Sequence, residues 1–205
     1  MRSFVEKYIA YVYSQNGEDG ILAECLSRIG NERGYAVEFG GFDGITNSNT
    51  RRLLENGWTG LMIEADSALF EKLKENTKDL VGVDIACCRV APANINDLVK
   101  DCDVLSIDVD GDDYKIWNAY KGSAKMVIIE VNSMFPPDLL VTGKRGTSYR
   151  CMIDLGKKKG YFPVCHVGNL VFIQSKYRDL FPELTADPIT QADQWFDYGW
   201  INGSK

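Results

Sequence analysis

The sequence predicts an α/β protein with a mostly parallel sheet that ends in an antiparallel hairpin. Short apolar runs alternate with stretches of helical periodicity, which is the pattern of βαβ units covered by helices on both faces. The last two apolar runs are separated only by Val167 and Gly168, a spacing typical of a hairpin. The chain has 205 residues, of which 45% are hydrophobic and 25% charged, so it can bury a sizeable core.

The elements follow from periodicity. Aromatic and aliphatic residues at helical spacing predict a helix within the first twelve residues, and apolar residues three and four apart predict a second over 18–29. Five buried strands are predicted at 35–39, 60–64, 80–90, 104–108 and 126–130. Helices at 50–56 and 67–76 connect the first three strands. A helix over 148–159 precedes the hairpin strands at 161–166 and 169–174.

Composition excludes several classes of protein. The net charge of −6 and the pI of about 4.9 argue against nucleic acid as the main partner, because duplex binding needs a dense basic surface. No apolar run approaches the roughly 18 residues of a membrane span, and the N-terminus lacks a secretory leader pattern. Six cysteines without a CxxC pair, together with a single histidine, offer little for a zinc site and suggest a reducing compartment. We therefore expect a cytoplasmic protein.

Acidic residues lie at the carboxyl ends of four of the predicted strands: Glu38, Glu64, Asp108 and Glu130. Ligands of open α/β sheets bind outside the carboxyl ends of the strands. Four acids at successive strand ends therefore predict a cofactor cleft at this edge.

The loop after the first strand contains Gly40, Gly41 and Gly44, which allow close approach of a ligand, with Asp43 among them. A pyrophosphate turn would have the spacing GxGxxG and no acid inside it, so a ligand with a cationic end fits better. Glu64 can accept hydrogen bonds from both ribose hydroxyls, which suits NAD and S-adenosylmethionine (SAM) equally, and Asp43 favours the sulfonium of SAM. The alternative is a tight glycine turn with a solvated aspartate.

The segment 107–114 is the most acidic of the chain. It follows a buried strand and lacks the flanking helices of an EF-hand, so a calcium loop is not indicated. Asp108 and Asp110 are expected to point into one cleft that Glu130 also reaches. These carboxylates would either hold Mg²⁺ or supply a general base. Asp112 and Asp113 are interpreted as caps of the helix that begins near Tyr114.

Two other polar features have structural alternatives. His166 lies on a late strand, where a histidine is more often a satisfied core residue than a base. Gln15 and Glu18 stand in a glycine-punctuated segment before a helix, which is either an N-cap or part of the mouth of the site.

Several ordered blocks resemble one known family. They are YSQNGEDG (13–20), VEFGGFDG with SNT (37–50), GWTGLMIEAD (57–66), LSIDVDGDDYKIW (105–117), IIEVNSMFPP (128–137) and GTS with KGY and NLVFI (146–173). The pattern is similar to the FkbM-type SAM-dependent methyltransferases, and to a branch with SQxGEDG and IDxDGxDY signatures. The resemblance covers about residues 13–174.

The resemblance implies a class I methyltransferase fold and O-methylation of a sugar or related hydroxyl. It places Glu38, Gly40 and Asp43 on the methionine-end loop, Glu64 at the ribose and Asp108 near the methyl group. Related sugar O-methyltransferases use Mg²⁺, but here strand five ends in Glu130-Val131-Asn132 rather than in paired aspartates. The implied cofactor residues are Gln15, Glu38, Gly40, Gly41, Asp43, Asn49, Glu64, Ala65 and Asp108. The implied substrate residues are Glu18, Tyr114, Asn132 and His166, and the catalytic or Mg²⁺-binding residues are Asp108, Asp110 and Glu130.

We expect the chain to divide into three parts: a helical segment at 1–33 that caps the cleft, a SAM-binding methyltransferase domain at 34–175 and an irregular tail at 176–205. The expected partner is a small-molecule or sugar acceptor, and a homodimer is a further expectation. The alternative function is an inactive SAM-fold module that binds or scaffolds. A weaker third interpretation, an NAD-dependent sugar oxidoreductase, is opposed by the missing GxGxxG and by Asp43.

Overall fold

The computed structural model describes residues 4–136 and 138–184, and their centre is a seven-stranded sheet. The sheet order is β3-β2-β1-β4-β5-β9-β8. The first five of these strands are parallel, whereas β9 is antiparallel to both β5 and β8. The predicted fold class, with its terminal hairpin, is therefore confirmed. The strands are β1 (Tyr35–Phe39), β2 (Thr59–Glu64), β3 (Val83–Cys87), β4 (Cys102–Ile107), β5 (Ala124–Glu130), β8 (Tyr161–Val167) and β9 (Asn169–Gln174). A separate antiparallel pair consists of β6 (Thr142–Gly143) and β7 (Gly146–Thr147).

Helices cover both faces of the sheet. They are α1 (Phe4–Tyr8), α2 (Glu18–Arg28), α3 (Arg51–Glu55), α4 (Ser67–Thr77), α5 (Ile95–Leu98), α6 (Asp113–Ala119) and α7 (Tyr149–Lys158). Apolar residues of α1, α2 and α3 pack in one buried cluster, and those of α5, α6 and α7 pack in a second. Alternate residues of β4 and β5 divide between the two clusters, as the two faces of a sheet require.

Two predicted elements are too long. The first helix ends at Tyr8 because the side chain of Asp19 accepts the backbone N–H groups of residues 12–14, which a longer helix would have used internally. The third strand is only Val83–Cys87, where 80–90 was predicted. Its pairing partner β2 ends at Glu64, which lies opposite Cys87 in the register. The residues after Cys87 therefore have no residue of β2 to pair with as a strand.

The end of the described chain packs on the core. A 3₁₀ helix at Ser175–Leu180 follows β9, and the buried Phe181 makes edge contacts with Phe4 and Phe162. The predicted irregular tail lies mostly at 185–205, outside the described residues. Within 4–136 and 138–184, none of the helices is both long and apolar enough to span a membrane.

Candidate functional site

A cavity of about 700 Å³ lies at the carboxyl edge of β1, β2, β3 and β4, where the sequence predicts the cofactor cleft. It occupies the position expected for the ligand of an open α/β sheet. Seven of the predicted site residues line it: Glu38, Gly40, Asn49, Glu64, Ala65, Asp108 and Asp110.

The glycine turn after β1 is required by a close backbone approach. Gly40 has φ +73, and a β-carbon there would lie 1.8 Å from the carbonyl oxygen of Asp108. Its N–H, like that of Gly41, donates to the carbonyl of Ile63. Only glycine therefore allows the β1 loop to pass between the ends of β2 and β4.

The wall of the cavity contains unusual backbone. Among the described residues, the non-glycine residues with positive φ are Phe42 at 48°, Asn47 at 60° and Asp110 at 57°, and all three line this cavity. Such conformations cost of order 1–3 kcal/mol each and concentrate at functional sites. Their concentration here is a second reason, independent of the acids, to treat the cavity as the candidate functional site.

Glu38, at the end of β1, organises the loop that precedes α3. Its carboxylate accepts hydrogen bonds from Ser48 Oγ (2.6 Å), from Asn49 N (2.7 Å) and from Thr50 Oγ1 (2.7 Å). Burial raises the pKa of Glu38, against the opposing effect of these hydrogen bonds. The side-chain amide of Asn49 in turn donates to Ser106 Oγ on β4 (3.0 Å). The loop that carries Asn47 and Asn49 is thus fixed to two strands.

Glu64 joins the ends of two loops. One carboxylate oxygen accepts the N–H of Phe42 and the other accepts the N–H of Asp66, both at 2.8 Å. Glu64 is 8% exposed and lines the cavity. Each oxygen keeps a second lone-pair direction, so the carboxylate can still accept hydrogen bonds from a ligand.

An acidic cluster adjoins the cavity at Asp108. Carboxylate oxygens of Asp108, Asp113 and Glu130 lie within 4.8 Å of one another. Asp113 is 2% exposed and accepts the N–H groups of Val109 (2.8 Å) and Gly111 (2.9 Å), which closes the 109–113 turn. Asp113, which the sequence analysis interpreted as a helix cap, therefore takes the place expected for Asp110 in the cluster.

The cluster has unusual acidity. Burial, followed by repulsion from Asp113 and Asp110, raises the pKa of Asp108 to about 7. Burial and repulsion from Asp108 raise the pKa of Glu130 to about 8. Near neutral pH each of the two carboxyl groups is therefore partly protonated and partly ionised. A general base that works at that pH needs a pKa in this range.

The donor set also fits a cation chemically. Carboxylate oxygens are the ligands that Mg²⁺ takes in proteins, and Asp108, Asp113 and Glu130 would hold it. The set differs from the predicted one because Asp110 is exposed and outside the group of adjacent oxygens.

Three of the predicted cofactor residues are not at the cavity. Gln15 is exposed, and Gly41 is buried next to Met62 and Leu73. Asp43 accepts hydrogen bonds from the backbone of Ile45 and from the N–H and hydroxyl of Thr46, so its carboxylate stabilises its own turn. Burial alone would raise the pKa of Asp43, but these hydrogen bonds outweigh it and lower the pKa below its ordinary value. The alternative interpretation of this loop, a glycine turn with its own aspartate, describes Asp43 better.

The predicted substrate residues are distributed around the same edge of the sheet but do not line the cavity. Glu18 is fully buried and binds Asn16 N (2.8 Å) and Asn169 Nδ2 (3.0 Å), which holds the N-terminal segment against the hairpin turn. Asn132 donates to the carbonyl of Arg145 and accepts from Met134 N, so it shapes the 132–147 loop.

The remaining two substrate candidates are His166, which is in the core, and Tyr114, which packs against the core from α6. His166 is 1% exposed, contacts the ring of Tyr149, and burial lowers its pKa to about 3. Its ring is therefore neutral at physiological pH, as the core interpretation requires. Tyr114 is half-buried on α6 against the apolar cluster on that face.

The residues that follow β3 also belong to the cavity, although the sequence does not single them out. Cys88, Arg89 and Val90 line the cavity, and Arg89 pairs with Asp112 at 3.5 Å. The predicted strand at 80–90 includes these residues, whereas β3 ends at Cys87, opposite Glu64 of β2. The remaining lining residues that the sequence analysis did not single out are Phe42, Thr46, Asn47, Ile63, Leu69, Val109 and Asp112.

No protein-family model matches the chain, and no curated protein matches it significantly. Solved structures do match. The N-terminal domain of EvdMO1 with SAH bound superposes with a TM-score of 0.58 at 9% identity, over 84% of each chain. A SAM-dependent methyltransferase from Clostridium acetobutylicum gives 0.57 at 11% identity, over 80% of this chain and 92% of the other.

A third similar structure comes from Staphylococcus aureus and is assigned provisionally as a caffeoyl-CoA O-methyltransferase. It gives a TM-score of 0.55 at 16% identity, over 83% of this chain and 88% of the other. At these identities the comparisons establish the fold and leave the activity to the residues of the site. The chain has the Rossmann-like fold of the class I SAM-dependent methyltransferases.

Proposed function

We propose that the protein is a SAM-dependent O-methyltransferase acting on a hydroxyl of a sugar or related small molecule, as the FkbM-type sequence pattern also suggests. The observation that carries the proposal is the position of Asp108. Its side chain borders the cofactor cavity and belongs to the acidic cluster with Glu130. Cofactor and proton acceptor are thus adjacent in one site.

Different residues of the cavity suit the different parts of SAM. Glu64 offers carboxylate oxygens for the ribose hydroxyls, and Ile63, Leu69 and Val90 form an apolar surface for the adenine ring. The acidic edge at Asp108 and Asp110 favours the positively charged methionine end. About 700 Å³ is within the range of cofactor pockets.

SAM supplies an electrophilic methyl group, so that a carbon–oxygen bond forms as the carbon–sulfur bond breaks and the electron pair stays on sulfur. The acceptor hydroxyl must lose its proton, and Asp108 is the carboxylate placed to take it. Burial, followed by the charges of Asp113 and Asp110, raises the pKa of Asp108 into the working range. Holding the reactants in line supplies most of the acceleration, and the base contributes about 10²- to 10⁴-fold.

Magnesium is not required by this proposal. If the ion binds, Asp108, Asp113 and Glu130 hold it and it supplies positive charge beside the acceptor oxygen. The acceptor itself is proposed to be neutral or cationic, because the protein carries a net charge of −6 and its cluster repels anions.

Calorimetric titration with SAM, with SAH and with NAD tests the proposal first, followed by turnover with panels of sugar and small-molecule hydroxyls. We expect SAM and SAH to bind and NAD not to bind. Binding without turnover of any acceptor would favour the alternative, an inactive module of this fold. Failure of SAM and SAH to bind would overturn the proposal altogether.

A further inference from the structure

The turn at 13–20, with the sequence YSQNGEDG, has no part in the methyl transfer described above. It leads into α2 and packs tightly on the chain before it, since a β-carbon at Gly20 would lie 2.0 Å from the carbonyl oxygen of Tyr8. None of these eight residues lines the cofactor cavity. Their contacts nevertheless lead to its wall.

Asp19 holds the residues at the start of this turn. It is 3% exposed, and its Oδ2 atom accepts the N–H groups of Val12 (3.0 Å), Tyr13 (2.9 Å) and Ser14 (2.8 Å). The hydroxyl of Ser14 donates to the same oxygen (2.7 Å) and accepts the N–H of Asp19 (3.0 Å). Hydrogen bonds to a charged group are the stronger ones, and four of them converge on one buried atom. We call residues 12–14 the anchored segment.

The anchored segment contacts the wall of the cofactor cavity. Ser14 pairs with Asn47 in an isolated parallel β-bridge, and Asn47 lines the cavity. Asn47 has φ +60, a left-handed conformation that asparagine tolerates better than most residues but that glycine alone adopts without cost. Pairing with a fixed neighbour therefore helps to keep Asn47 in this conformation.

A second contact joins the anchored segment to the helix that follows the Asn47 loop. Tyr13 Oη donates to Glu55 Oε2 on α3 (2.7 Å), and the Arg51 guanidinium lies over the ring of Tyr13, 5.8 Å from its centroid. Arg51 also pairs with Glu55 (2.8 Å). Its Nη1 atom donates to the carbonyl oxygen of Gly44 (3.3 Å), in the loop after β1. The loop that forms this part of the cavity wall is thus held from both of its ends.

We propose that Asp19 is a positioning residue of the cofactor site, which acts through Ser14 to keep the Asn47 turn in its left-handed conformation. The inference rests on the proposed function, because its consequence is a higher affinity for SAM. A cavity wall that already has its binding conformation avoids the free-energy cost of ordering that wall when the cofactor binds.

Amide hydrogen exchange in the ligand-free protein tests the structural step. Asp19→Ala removes the acceptor of all four hydrogen bonds, so the buried amides of Ser48 and Asn49, which follow the turn, should exchange at least about fivefold faster. Asp103→Ala is the matched control, since Asp103 accepts the N–H of Tyr35 (2.8 Å) at the start of β1, away from the cavity. It should leave these two amides unchanged. Unchanged exchange in Asp19→Ala would overturn the proposal.

SAH affinity, measured by calorimetric titration with and without Asn47→Gly, tests the positioning role. Asp19→Ala should weaken SAH binding about tenfold, whereas Asp103→Ala should leave it unchanged. Glycine populates the left-handed region readily, so in the Asn47→Gly background the effect of Asp19→Ala should shrink to less than about twofold. A merely structural role of Asp19 would weaken SAH binding equally in both backgrounds, and that result would overturn the proposal.

Ser14→Ala decides the question if Asp19→Ala does not fold. It removes the hydroxyl contacts but keeps the backbone hydrogen bonds to Asp19, so exchange and SAH affinity should each change about threefold, again only with Asn47 in place. No change in either readout would overturn the proposal. If the parent protein binds neither SAM nor SAH, the proposed function fails, and the exchange measurement still decides whether Asp19 holds the Asn47 turn.

Discussion

The β-carbon position of Gly40 lies 1.8 Å from the carbonyl oxygen of Asp108, so the loop after β1 and the loop after β4 meet at a point where no side chain fits. This contact brings the glycine turn of the cofactor cavity against the residue proposed as the base. The two halves of the site therefore have a fixed separation, which the proposed in-line methyl transfer would require.

Substitution of Gly40 by alanine should destabilise the protein by several kcal/mol, because it adds a backbone clash to the strain of φ +73. Gly30→Ala is the matched control, since Gly30 has φ +67 and nothing lies within 4 Å of its β-carbon position. It should cost only about 1 kcal/mol. Urea denaturation of both variants measures the difference, and similar losses would contradict the close approach.

Asp108→Asn should reduce kcat about 10²- to 10⁴-fold while the protein remains folded. Because Asp108 is repelled by Asp113 and Asp110, loss of its charge should raise Tm at pH 8, by about 2–4 °C for each kcal/mol relieved. Single-turnover methylation and thermal unfolding provide the two readouts. Unchanged turnover together with unchanged SAM affinity would remove Asp108 from the mechanism.

The rate should rise with pH between about 6 and 8, because the proton acceptor must be ionised and the pKa of Asp108 is about 7. Asp110→Asn removes a charge that, after burial and Asp113, raises the pKa of Asp108, and it should move this rise to lower pH. Profiles of kcat/KM for the variant and the parent protein test the shift. An unchanged profile would show that Asp108 is not the group whose ionisation sets the rate.

Stability should depend on pH through the same pair. Below the ordinary carboxyl pKa of about 4 the two groups are protonated in the folded and unfolded chains alike. As pH rises toward 8 the unfolded chain ionises first, since Asp108 and Glu130 have raised folded pKa values, and the free energy of unfolding falls. Urea midpoints from pH 5 to 8.5 should therefore decline less steeply in Asp108→Asn than in the parent protein.

Glu64→Gln should weaken SAH binding about 10- to 100-fold. The NH₂ group of glutamine is a donor, so the side chain can no longer accept hydrogen bonds from both Phe42 N and Asp66 N. Glu71→Gln makes the same change at an exposed position of α4 and should have no effect. Calorimetric titration with SAH measures both. Equal SAH affinity of the Glu64→Gln variant and the parent protein would show that Glu64 does not bind the ribose.

Chelation distinguishes the two possible roles of the acidic cluster, as proton acceptor and as Mg²⁺ site. We expect EDTA to leave SAM affinity and turnover unchanged, since proton transfer to Asp108 needs no ion. Loss of turnover with EDTA, restored by Mg²⁺, would instead assign Asp108, Asp113 and Glu130 as ligands and displace Asp108 as the base.

The buried strands were predictable because a parallel sheet covered on both faces reads as continuous apolar runs. The predicted strands at 104–108 and 126–130 correspond to β4 and β5. By contrast, β6 and β7 have two residues each, which is too short for any period to be recognised. The short helix α5 was missed for the same reason.

The site was predictable at the level of strand ends but not of turns. Glu38, Glu64 and Asp108 line the cavity because each lies at, or within one residue of, the carboxyl end of a buried strand. The prediction for Asp110 assumed that the alternation of β4 continues beyond Ile107, whereas Asp110 has φ +57 and the chain turns. Hydrogen bonds from Val109 and Gly111 then bring Asp113 into the cluster, a local turn geometry that strand alternation does not predict.

Asn49 lines both the cavity at the strand ends and a smaller cavity between α2 and α3, and its side-chain amide donates to Ser106 Oγ. One side chain is therefore part of two walls. A substitution at Asn49 should change ligand binding at the strand ends and the packing of α2 against α3 together, so the two effects are not independent.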